Sequence, residues 1–193
     1  MNNISQLIWL IPVLPLIGFI ITGLGRNMLS KVASAIVGCA SILGSFILSV
    51  IVFIDVKNGH NHAVNYFNFI NIKDFNVAFE FKVDQLSSLF LLIITGVGFL
   101  IHVYSSSYMK GEVAKDYSKY FSYLNLFVFS MLLLVMGGNF VIMFMGWEGV
   151  GLCSYLLIGY WFKNQDFTAA GKKAFVMNRI GDMGFLLAVF WFM

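Results

Sequence analysis

Residues 140–161 read FVIMFMGWEGVGLCSYLLIGYW. A bilayer core about 30 Å thick takes about 20 apolar residues in a helix, and this run is long enough to cross it. A single carboxylate, Glu148, stands in its middle. The rest of the chain has the same character. Its 193 residues are 60% hydrophobic and only 11% charged, whereas an ordinary soluble domain carries roughly 25% charged residues. So few charges cannot dress a globule of this size in water. A soluble enzyme, a soluble binding module and a disordered tail are all excluded, and the class is integral membrane protein.

Working outward, five further runs qualify as spans: Leu7–Leu24, Val32–Ile54, Leu86–Tyr104, Tyr120–Met136 and Ala174–Met193. The expected fold is an all-α polytopic bundle of six transmembrane helices (7–24, 32–54, 86–104, 120–136, 140–161, 174–193) in one membrane domain, residues 1–193. Pro12 and Pro15 fall near the start of the first run, where missing backbone donors matter least. Residues Met1 to Gln6 carry no basic side chain, so this run reads as a retained span and not a signal peptide. The last run stops at Phe190-Trp191-Phe192-Met193 with no polar flank, which reads as the N-terminal part of a longer protein. Residues 55–85 form the one sizeable extramembrane segment. Val77 to Asp84 alternates apolar and polar, the pattern of a half-exposed strand. Its expected partner is Tyr66–Ile72, across a polar turn at Lys73-Asp74, giving a short outer β-hairpin.

Charge placement sets the expected topology. Nine of the twelve basic residues fall in loops on one side: Arg26, Lys31, Lys110, Lys115, Lys119, Lys163, Lys172, Lys173 and Arg179. The hairpin side holds Lys57, Lys73 and Lys82, matched by Asp55, Asp74, Glu80 and Asp84. The positive-inside rule then puts the N-terminus and the hairpin outside. Tyr104, Tyr108, Tyr117, Tyr120, Tyr160 and Trp161 cluster at the inner boundary, as an interfacial belt does. A net charge of +3 gives no support for nucleic-acid binding. Cys39 and Cys153 lie in separate apolar runs and read as small core residues rather than a disulfide.

In lipid the informative residue is the ionisable one, because a charge at the bilayer centre costs about 2.5–3.5 kcal/mol on insertion scales. Glu148, with Phe144, Met145, Gly151, Leu152 and Tyr155 on its face, sits about 12–13 Å into its helix. Gly149 and Gly151 are expected to let another backbone approach closely. One reading is a neutral acid hydrogen-bonded in a packed interface. The other is a proton-exchanging group, set by desolvation against a neighbouring cation. Asp182 is the second intramembrane acid; Arg179, three positions earlier, shares its helix face, and Lys172 lies on roughly the same stripe. That stripe is either an ion route toward the midplane or a structural pair that makes the helix insertable. His102 shares a face with Thr95, Gly98, Ser105 and Ser106; it is either a proton relay or a hydrogen-bonding residue at a helix boundary. His60 and His62 read as solvated. No cysteine cluster suits an iron–sulfur centre, no histidine pair suits haem, and no metal or cofactor ligands stand out. Redox chemistry is not expected in this chain.

Longer motifs then point to a family. Val83-Asp84-Gln85-Leu86-Ser87-Ser88-Leu89 and His102-Val103-Tyr104-Ser105 resemble the large antiporter-like subunit of proton-pumping NADH:quinone oxidoreductase (respiratory complex I), called subunit L in bacteria and chain 5 in mitochondria. The likeness sharpens through Gly146-Trp147-Glu148-Gly149-Val150-Gly151-Leu152-Cys153-Ser154-Tyr155 and continues through Lys172-Lys173-Ala174-Phe175 to Asn178-Arg179-Ile180-Gly181-Asp182. It implies a many-spanned proton channel with an outer hairpin and an essential glutamate on the fifth helix, matched by Glu148. In the family that glutamate tunes a lysine on a broken seventh helix, and Arg179 and Asp182 match a charged pair near the path. The resemblance also implies partnership with other membrane subunits of the complex, which carry the flavin, the iron–sulfur clusters and the quinone site. It implies a bacterial inner membrane, or alternatively a mitochondrial one. Family members run to roughly three times this length and contain two inverted repeats; the chain therefore reads as a truncated piece, inactive alone. Two alternatives stay open: the large subunit of a multi-subunit sodium/proton antiporter, and an inert or structural split-gene fragment.

Overall fold

The computed structural model describes residues 5–72 and 75–192. Six long apolar helices and one two-stranded sheet make up the fold, with α1 at Leu10–Leu24, α2 at Lys31–Lys57, β1 at His62–Ile72, β2 at Phe75–Val83, α3 at Gln85–Tyr108, α4 at Ala114–Met136, α5 at Phe140–Ile158 and α6 at Gln165–Phe192. All six helices have the length and apolar composition to cross a membrane. The expected helix order is thus observed, with shifted ends. Helix α4 starts six residues before Tyr120, and α6 nine before Ala174. In both, the first turns carry charge (Lys115, Asp116 and Lys119; Asp166, Lys172 and Lys173) and fall outside the apolar run, although the helix continues through them. Helix α5 ends at Ile158 rather than Trp161, since Gly159 accepts the break.

Helix α4 is the hub. It packs against α1, α2, α3 and α5, whereas α6 leans chiefly on α5. Lipid offers no hydrophobic force between helices, so hydroxyls and small residues hold them together. Ser118 donates to the Thr22 carbonyl at 2.7 Å, joining α4 to α1, and Ser41 donates to the Asn125 side chain at 2.7 Å, joining α2 to α4. Pro15 lies inside α1, deeper than a first-turn position, and its missing N–H leaves the Ile11 carbonyl without a helical donor. The Ser45 hydroxyl of α2 fills that place at 2.8 Å, as membrane helices require.

The strands are longer than expected and antiparallel, registered from His62 opposite Val83 to Ile72 opposite Phe75. The expected turn at Lys73-Asp74, like Met193, lies outside the described residues. On β2 the alternation buries Val77, Phe81 and Val83. The hairpin is fastened to the α4–α5 turn: the Gly138 N–H donates to the Glu80 carbonyl at 3.0 Å, and the Asn139 side chain donates to the Ala78 carbonyl at 2.7 Å. At the opposite end the α1–α2, α3–α4 and α5–α6 links gather. There Lys31 donates to the Lys110 carbonyl at 3.0 Å, and the Trp161 indole to Glu112 at 2.9 Å.

Two expectations about side chains are corrected. His62 is not solvated: it is 6% exposed, its Nε2 lies 2.7 Å from an Asp55 oxygen and its Nδ1 3.2 Å from the Ser5 hydroxyl. Opening β1 against Val83 carries it under the end of α2. His60 remains half-exposed, 3.3 Å from the other Asp55 oxygen. In the expected aromatic belt, Tyr104, Tyr108 and Trp161 are exposed, but Tyr117 and Tyr160 are buried against Met109 and Phe121. Cys39 and Cys153 are free thiols.

Candidate functional site

Helix α5 is held in place from both sides. Asn139 caps it, accepting from the Ile142 N–H at 3.1 Å. A Cβ at Gly146 would stand 2.3 Å from the Leu134 nitrogen and 2.6 Å from its Cα, so only glycine lets α5 approach the α4 backbone this closely. Gly149 faces the Ser130 side chain, while Gly151 has ordinary room beside Asn178 of α6. The tightest backbone approach is therefore at Gly146, with Gly149 of the expected pair close against Ser130 and Gly151 not part of the contact.

With that face committed to α4, Trp147 and Glu148 turn toward α6. The Glu148 carboxylate accepts a hydrogen bond from the Arg179 guanidinium across the two helices. The same guanidinium nitrogen lies 3.6 Å from an Asp182 oxygen, one turn along α6. The other Asp182 oxygen accepts the Trp147 indole N–H at 2.8 Å. Asp182 is 5% exposed as a residue, and its neighbours are tightly ordered aromatics. Phe185 stacks between Phe144 and Trp147, with centroids 5.5 and 6.1 Å away, and the Arg179 guanidinium lies 5.0 Å from the Phe175 centroid. One cation therefore serves two carboxylates near the middle of the fifth helix. Such a site can shift a positive charge between two acceptors, and it can take up a proton to settle the excess negative charge.

Of the residues singled out from sequence, Glu148, Arg179 and Asp182 come together. Lys172 does not join them: it is exposed two turns earlier and makes no ion pair or side-chain hydrogen bond among the described residues. His102 lies elsewhere, buried in a cleft between α3 and α4. Its Nδ1 is 2.7 Å from the Gly98 carbonyl, its ring meets Phe121, and its Nε2 has no hydrogen-bond partner among the described residues. Thr95, Gly98 and Ser105 share its buried face as expected; Ser106 turns away. Trp147 was missed, although its place beside Glu148 in the run was the available signal.

The same region carries the likeness to known proteins. Residues 69–121 match the family described as NADH-ubiquinone oxidoreductase (complex I), chain 5 N-terminus. Residues 137–193 match the membrane region described as NADH:quinone oxidoreductase/Mrp antiporter. The chain belongs to the complex I chain 5 family. Among its relatives, NADH-quinone oxidoreductase subunit L of Escherichia coli is 43% identical over 180 residues, covering 92% of this chain and 29% of the relative. Subunit L of Mycobacterium tuberculosis is 42% identical over 186 residues, covering 94% and 29%. NADH-ubiquinone oxidoreductase chain 5 of Hypocrea jecorina is 37% identical over 179 residues, covering 92% and 26%. The chain thus spans under a third of the length of these chain 5 relatives. In structure it is similar to a chain of an archaeal membrane-bound sulfane sulfur reductase, with a TM-score of 0.80 at 19% identity, over 94% of this chain and 36% of that one. That likeness is one of fold.

Proposed function

We propose that this chain is the part of a proton-translocating antiporter-like subunit that holds a mid-membrane charge switch, with Glu148 as the group that gains and loses a proton. The observation that carries the reading is the bond from Arg179 to Glu148 across α5 and α6, with Asp182 in reach of the same guanidinium. When Glu148 is ionised it holds Arg179; when it is protonated the guanidinium is released toward Asp182, which Trp147 keeps in place. A proton arriving at Glu148 is thereby converted into movement of a charge along α6. Lys172 and His102 stand outside the switch, as an entry point and a relay respectively.

In this reading the chain works with other membrane subunits of NADH:quinone oxidoreductase in a bacterial inner membrane or a mitochondrial one. Flavin and iron–sulfur clusters sit on those other subunits, and the N-terminus and hairpin face outward. The test is Glu148→Gln in the full-length subunit within its complex, with proton pumping followed in vesicles. Pumping is expected to fall while electron transfer by the redox subunits persists; unchanged proton-to-electron stoichiometry would overturn the reading. The chain reconstituted alone is expected to move no protons, and uptake abolished by Glu148→Gln in that setting would contradict this. A second reading, a sodium/proton antiporter subunit, is favoured by the shared description of the region matched at residues 137–193. Vesicles with sodium but no NADH separate the two: sodium-driven proton movement selects the antiporter.

A further inference from the structure

Between the α3–α4 link and the α5–α6 link, at the end of the bundle opposite the hairpin, lies an open cavity of about 570 Å³. It is distinct from the charge switch. Its walls hold both signs of charge and several rings: Glu112 and Asp116, Lys119 and Lys163, and the rings of Trp161 and Phe167. Two features set it apart from an ordinary solvated rim. First, none of these four charged side chains enters an ion pair among the described residues, although opposite charges line one cavity. Second, the aromatic lining is fixed. The Trp161 indole donates to Glu112 at 2.9 Å, and the Trp161 and Phe167 centroids lie 6.2 Å apart, tilted by 52°.

The two halves of the cavity suit two chemistries. A carboxylate beside an indole and a phenyl ring attracts an alkylammonium through charge and ring quadrupole together. Lysine ammonium groups take phosphate as point charges. Lys119 is steered by rings, not by the carboxylates: its Nζ lies 5.4 Å from the Phe162 centroid and 5.8 Å from that of Tyr160. The level also fits, since Trp161 comes just after the end of a span, where tryptophan meets the headgroups. We propose that this cavity binds the zwitterionic headgroup of an aminophospholipid, its ammonium between Glu112, Trp161 and Phe167 and its phosphate at Lys119 and Lys163. The acyl chains of such a lipid stay in the bilayer while the headgroup joins the two links.

The test is native mass spectrometry of the full chain in detergent, with dioleoylphosphatidylethanolamine, dioleoylphosphatidylglycerol or soluble glycerophosphoethanolamine added. The phosphatidylethanolamine adduct is expected to be retained about fivefold better than the phosphatidylglycerol one, the scale of one exposed charge or ring contact. Glu112→Gln keeps an acceptor for the Trp161 indole and is expected to remove that preference. Lys163→Gln is expected to weaken both lipids. Equal retention of the two lipids overturns the proposal, as does phosphatidylethanolamine binding that Glu112→Gln leaves unchanged. Binding of the soluble compound as tightly as the lipid overturns the lipid assignment in favour of a free phosphoamine.

Discussion

Helices α4 and α6 both carry charge in their first turns and apolar residues after them, yet they end in different surroundings. Eleven residues of α4 are buried, four of them serines or asparagine on the faces toward α1, α2 and α5. On α6 the buried positions among the described residues are Gly171, Asp182 and Val189, while Ile180, Met183, Leu187 and Phe190 are all more than 60% exposed. Helix α4 is fixed by packing and satisfied hydroxyls. Helix α6 is fixed to its neighbour chiefly by charge and aromatic stacking. Close packing and the cross-helix charge contact thus lie in different parts of the bundle.

Glycines offer the sharpest way to break that contrast. Gly146→Val puts a branched side chain against the Leu134 backbone and is expected to cost about 3 kcal/mol, read as an earlier denaturation midpoint in detergent. An unchanged midpoint would mean that α4 and α5 are not joined there. The cross-helix pair is expected to be worth less, because Arg179 is half-exposed. A double-mutant cycle of Glu148→Gln and Arg179→Gln should give a coupling of about 0.5–1 kcal/mol, and a coupling of zero would leave aromatic stacking alone to hold α6.

At the hairpin end of the bundle, Asp84 caps α3 through a reciprocal pair of bonds with Ser87. The Ser87 N–H and hydroxyl hold its carboxyl below the ordinary carboxylate value. A lowered folded-state value means that the cap contributes fully above the ordinary value and is lost as pH falls through the lower one. Asp84→Ala is expected to cost about 1 kcal/mol at pH 7, and less at strongly acid pH; equal loss at both would refute an ionised cap. The smallest effect is expected at Gly181, where an added Cβ meets nothing. Gly181→Ala should stabilise α6 by about 0.5 kcal/mol through helix propensity. Destabilisation there would reveal a neighbour on that face.

The six spans and the hairpin were legible because a membrane imposes length and polarity on the sequence directly. The Arg179–Asp182 pair was legible for a similar reason: both residues are on one helix, three positions apart. Glu148 was singled out by its cost, but its bond to Arg179 depends on how α5 is rotated, which Gly146 decides through the α4 backbone. The hydrogen bond from Trp147 to Asp182 depends on the same rotation. His62 was misread because neighbours in sequence gave no hint of Asp55, which reaches it only after the chain turns from α2 into β1. The Tyr117 and Tyr160 misplacements share one cause: an aromatic at a helix end suits either lipid or core, and only the packing of adjacent links distinguishes them.

The fastening of β2 to the α4–α5 turn has a mechanical consequence. Gly137 bridges Phe81, and with the Gly138 and Asn139 bonds three successive residues are riveted to the two-stranded sheet just before α5 begins. A helix clamped at its head cannot slide lengthwise without tearing those rivets, so Glu148 keeps a fixed height below the rim. Among the described residues, helix α6 carries no such clamp to the sheet. In the proposed switch, the stroke that separates the glutamate from its arginine is therefore one of α6, with α5 as the stationary rail.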